Sequence, residues 1–122
     1  MRLFRVFLCL LCLILPLSAQ EQRCDRTTSI TVAAGSTATV AVAIAGQRIY
    51  VCGWMLTGNT AVTGIQFVSG STNLTGVMLT PVTGNLTMPV TGSFVLAGND
   101  GAAVTVAATT GAVTGFVRFT QQ

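Results

Sequence analysis

The chain has 122 residues, of which 51% are hydrophobic and 7% charged, with no histidine and a formal net charge of +3. That length holds one domain and one core. A charged share so far below the usual level of about 25%, in a chain rich in β-branched residues, excludes disorder, which needs few hydrophobic residues and much net charge.

The positive residues are all arginine: Arg2, Arg5, Arg23, Arg26, Arg48 and Arg118. Arg2 and Arg5 precede an uncharged apolar run from Val6 to Leu17, which Ser18, Ala19 and a polar stretch follow. This is the order of a secretory signal peptide, expected at 1–19 with cleavage after Ala19, and retention as an N-terminal anchor is the alternative. The run is shorter than the roughly 20 residues a bilayer span requires, so membrane contact is expected only during export. Cys9 and Cys12 would leave with the leader, and no cysteine follows the small residue of a lipoprotein cleavage box. Four arginines then face Glu21, Asp25 and Asp100, a net charge of +1. The basicity belongs to the leader, and no nucleic-acid partner is expected.

Residues 20–28 read as an N-terminal extension and 29–122 as the folded domain. Two cysteines remain after export, Cys24 and Cys52. In an oxidising compartment they read as one disulfide, worth about 3 kcal/mol on the chain-entropy model. Two cysteines without histidine are too few for a zinc site, and a catalytic thiol would lack its base.

From Ser29 onward, short runs of Val, Ile, Thr and Ala are interrupted by Gly, Asn or Pro. Thr39 to Ala45 alternates Val40, Val42 and Ile44 against small residues, the period of a half-buried strand. Ile49 to Leu56 holds the only Trp and the only Tyr. Strict alternation puts Tyr50, Cys52, Trp54 and Leu56 on one face and Ile49, Val51 and Met55 on the other, so a strand apolar on both faces is expected mid-sheet. Thr57 to Thr60 is a turn by composition. Further strands are expected at Val62 to Val68, Leu74 to Thr80, Ser93 to Ala97, Ala103 to Ala107 and Val113 to Thr120. Between them lie turn-rich stretches, including Gly70 to Asn73, Pro81 to Asn85, Pro89 to Gly92 and Thr109 to Gly111. The turn at Asn99-Asp100-Gly101 has residues that tolerate positive φ. About eight short strands and no helix outside the leader predict an all-β, antiparallel β-sandwich or jelly roll, with a small barrel as runner-up. Asn73-Leu74-Thr75 and Asn85-Leu86-Thr87 fit the N-glycosylation pattern, but in so Thr-rich a chain each reads first as a turn entering a strand.

General acid–base catalysis wants a positioned ionisable group, and after the leader only Glu21, Asp25, Asp100 and Tyr50 are available. There are no paired carboxylates of glycosidase type, no G-x-S-x-G elbow and no Walker loop. Calcium would lack carboxylate ligands. No catalytic residue, cofactor or metal ligand is therefore assigned, and an enzyme is not expected. A structural or interaction role remains, because feebly charged surfaces and uncharged edge strands invite association. The partner would be a second copy or another surface protein, meeting Ile49, Val51 and Met55, or Val113, Val117 and Phe119. The alternative is a glycan- or receptor-binding module, for which the candidate ligand contacts are Trp54, Asn59, Asn73 and Asn99.

Cys24-Asp25 before a hydroxyl-rich strand, Ile49-Tyr50-Val51-Cys52-Gly53, and the closing Thr110-Gly111-Ala112-Val113 through Thr120-Gln121-Gln122 resemble a group of small all-β proteins of bacterial, prophage and phage-associated genomes. The resemblance covers nearly the whole processed chain. It implies a disulfide-tied sandwich displayed on a surface or virion and supplies no catalytic residue, while the leader makes the expected location secreted or periplasmic, or the cell surface. Members carry a second cysteine pair, near Gly70 to Asn73 and near Val106, which this chain lacks.

Overall fold

The computed structural model describes residues 24–59, 63–80, 85–89 and 94–122. The expected signal peptide, its cleavage position and much of the turns around 81–85 and 89–92 lie outside the described residues. Ten strands follow in order: β1 (Arg26–Val32), β2 (Thr37–Ala41), β3 (Ile49–Gly58), β4 (Gly64–Ser69), β5 (Thr72–Asn73), β6 (Met78–Leu79), β7 (Asn85–Met88), β8 (Leu96–Ala97), β9 (Val104–Ala108) and β10 (Val113–Gln121). They form two antiparallel five-stranded sheets. The first runs β1-β10-β3-β7 with β8 also on β3, and the second runs β2-β9-β4-β5 with β6 also on β4. The sheets pack face to face as a β-sandwich, and neither closes into a barrel.

The core is what alternation along paired strands demands. The first sheet contributes Ile30, Val32, Ile49, Val51, Trp54, Leu56, Val113, Val117 and Phe119, and the second Val40, Ala41, Ile65, Phe67, Val104, Val106 and Ala108. Trp54 and Phe67 meet across the layers with ring centroids 4.7 Å apart. Burying each of these large side chains contributes on the order of 2 kcal/mol.

On β3 the strict alternation is corrected by a bulge. Gly53 pairs with Arg118 of β10, but Val51 pairs with the next residue, Phe119, so Cys52 is an extra residue in β3. An extra residue reverses the side-chain parity beyond it. Ile49 and Val51 therefore face inward before the bulge, and Trp54 and Leu56 face inward after it, all 3% exposed or less. Cys52 points away from the core toward Cys24, with Cα atoms 6.2 Å apart in a disulfide spanning 28 positions. That separation falls in the normal disulfide range. Arg118, flanked by the inward Val117 and Phe119, lies on the same outer side and its Nη2 donates to the Cys24 carbonyl at 3.0 Å. Staple and hydrogen bond together hold the start of β1 against the sheet.

The second sheet repeats the device. The β2–β9 register slips between Thr39 and Ala41, leaving both Val40 and Ala41 buried. Beyond this bulge the strand ends, so the expected alternation of Val40, Val42 and Ile44 fails: Val42 is 67% exposed and Ile44 40%. Strand β1 begins at Arg26, inside what composition assigned to the extension. The expected strand from Leu74 to Thr80 is reduced to β6, because Thr75 Oγ1 takes the Phe67 N–H at 3.1 Å and ends the ladder there, while β5 forms within the stretch Gly70 to Asn73 that reads as a turn. Strand β7 runs from Asn85 to Met88, where Asn85-Leu86-Thr87 reads as a turn entering a strand. In the turn at Asn99 to Ala102, Gly101 alone takes positive φ, at 65°.

Replacing Cys24 and Cys52 together by alanine should cost about 3 kcal/mol and lower the melting midpoint by at least about 10 °C in calorimetry; an unchanged midpoint would contradict the staple. Gly115 has φ 152°, and a Cβ there would collide with the Met55 carbonyl of the neighbouring strand. Gly115→Ala should therefore destabilise by about 3 kcal/mol or more, measured by denaturant unfolding, and a neutral effect would refute the close approach.

Candidate functional site

The four candidate ligand contacts do not form one site. Trp54 lies mid-strand in β3 and is 3% exposed, so it is core and not a platform for a sugar ring. Its parity after the bulge is the reason. Its Nε1 is buried without a hydrogen-bond partner, a cost of roughly 1–3 kcal/mol for an unmade bond that its contact with Phe67 helps to offset.

Asn59 follows the end of β3 and clamps the start of β10. Its backbone N–H donates to the Ala112 carbonyl at 3.0 Å, and its Oδ1 accepts from Ala112 N at 2.8 Å. Asn99 does the corresponding work at the other end, where Gly98 N donates to the carbonyl of Ile49, the first residue of β3. The Asn99 N–H donates to Ser69 Oγ at 2.8 Å, and its Nδ2 donates to the Ser69 carbonyl and to Thr72 Oγ1. Ser69 is fully buried. Ten residues of β3 separate these two clamps, roughly 30 Å at strand rise. Asn73 is exposed and pairs with Val68, at the Asn99 end.

Both N-glycosylation-like triplets have structural employment. Thr75 holds Phe67 N–H, and Asn85 Oδ1 accepts from Thr57 Oγ1 at 2.5 Å. A third clamp joins Thr63 and Thr80, both buried: Thr80 N donates to the Thr63 carbonyl, and Thr63 N donates to Thr80 Oγ1. Ser69, Thr63 and Thr80 escape composition-based reading because isolated Ser and Thr in a Thr-rich chain carry no local signal.

The proposed apolar contact faces are also corrected. Ile49, Val51, Val113 and Val117 are completely buried and Phe119 is 6% exposed, all within the core; only Met55, at 37%, reaches solvent. Among the described residues, the large apolar side chains that do stand out are Val42, Ile44, Met55, Val77 and Leu79. On the outer side of the first sheet, Tyr50 stacks on Phe94 with centroids 4.3 Å apart. Among the described residues, the charged side chains are Asp25, Arg26, Arg48, Asp100 and Arg118, and no three of His, Cys, Asp or Glu lie together as a metal-holding group. Among the same residues, no helix is long and apolar enough to cross a membrane.

Because Trp54 is the sole tryptophan, its fluorescence reports its burial. Iodide should leave native emission unquenched and quench it once denaturant unfolds the chain; quenching of the folded protein would place the ring at the surface. Comparison of the chain with models of protein families, with curated proteins and with solved structures finds no match.

Proposed function

We propose that the protein is an exported, non-enzymatic structural or interaction protein that associates with itself on a cell or virion surface. The observation that carries this reading is the character of the described surface. The described residues include only five charged side chains, while Val42, Val77 and Leu79 are each more than half exposed. Such a surface has little like-charge repulsion to keep copies apart, and burial of exposed apolar area favours contact at about 25 cal/mol per Å². The Cys24–Cys52 disulfide is compatible with an oxidising, extracytoplasmic compartment. The resemblance carried by Cys24-Asp25 and Ile49-Tyr50-Val51-Cys52-Gly53 supports display at a surface. A glycan-binding reading loses its main support with the burial of Trp54 and the separation of Asn59 from Asn99.

Sedimentation equilibrium of the exported protein over a wide concentration range tests the proposal. The average mass should rise with concentration and stay high in concentrated salt, because apolar and backbone contacts are not screened as ion pairs are. A monomer throughout would overturn it.

A further inference from the structure

We propose that β1 is the self-association surface: two copies pair their β1 strands antiparallel about a two-fold axis through Ser29, fusing two five-stranded sheets into one continuous sheet. The inference rests on the self-association reading and specifies its contact.

A sheet edge presents unpaired N–H and C=O groups, and proteins that stay monomeric blunt it by shortness, bulges, proline or charge. Most edges of this sandwich carry such devices. On the far side, β5, β6 and β8 have two residues each, and β7 has four and runs into Pro89. On the near side, β2 is broken by the bulge at Val40. Strand β1 is neither short, bulged nor interrupted by proline, and its one charge lies at its end. It runs seven residues in unbroken register with β10, and the charge is Arg26, at the first position. Among the described residues it pairs with no other strand.

The occupant that fits is the same strand from a second copy. An isologous contact must be self-complementary, and Arg-Thr-Thr-Ser-Ile-Thr-Val satisfies that about its middle residue. With Ser29 opposite Ser29, all seven residues pair. Thr27 of one copy then faces Thr31 of the other, both exposed on the outer side, a favourable hydroxyl pair. Thr28 faces Ile30 on the inner side, so the two cores run on into each other. Arg26 meets Val32, and no like charges oppose.

Two double variants separate this contact from any other. Thr27→Glu with Thr31→Glu sets carboxylates against each other twice across the axis, whereas Thr27→Glu with Thr31→Lys sets opposite charges there. Both alter only exposed positions. Relative to the unaltered protein, association should weaken by at least about tenfold in the first and be restored in the second, since each cross-strand charge pair contributes up to about 1 kcal/mol. Independently, Ser29→Cys, whose thiols meet on the axis at disulfide distance, should form a covalent dimer on oxidation, and Thr114→Cys in the same sheet should not. If the unaltered protein is monomeric, the self-association reading itself falls. If it associates but the first variant associates equally, or Ser29→Cys fails to cross-link, self-association stands and β1 is not its contact.

Discussion

One extra residue in β3 decides how this chain can fold. Without it, the strand's hydrophobic side chains would divide between two faces, and one set would meet water whichever face turned inward. The bulge at Cys52 collects Ile49, Val51, Trp54 and Leu56 on one side and sends the thiol to the other. Core, staple and the placement of β1 follow from that single shift in parity. Gly53, opposite Arg118 and without a side chain, is the residue type that such a kink tolerates most easily.

The bulge has a second effect through Arg118. Because β10 keeps its alternation while β3 does not, Arg118 lies over the outer side, where its guanidinium reaches the Cys24 carbonyl. Its Nε is nevertheless buried without a partner. The strap from Cys24 is therefore secured by one covalent bond and one charge-assisted hydrogen bond, at the cost of one unmade bond. Among the described residues a second unmade bond belongs to Trp54, the ring that joins the two layers.

Much of the fold was legible because β-branched runs between Gly, Asn and Pro state their period directly. Val113 to Thr120 and Ala103 to Ala107 fall within a residue of β10 and β9, and Cys24 and Cys52 are bonded as their number suggested. What could not be read is what a period cannot encode. The parity reversals at Val40 and Cys52 depend on the neighbouring strand, and the loss of strand after Leu74 depends on a threonine hydroxyl replacing a backbone acceptor. For the same reason Trp54 looked like a surface candidate and Asn59 and Asn99 like ligand contacts. Their roles are set by partners 53 and 30 positions away, Ala112 and Ser69.

The clamps at Asn59 and at Asn99 share no residue and sit at opposite tips of the longest strand. Perturbations that far apart combine additively, so each tip can change its loop sequence without consulting the other. Seen over generations of a lineage, this architecture permits two separately drifting extremities on one shared middle, and novelty at one would leave the other's shape intact.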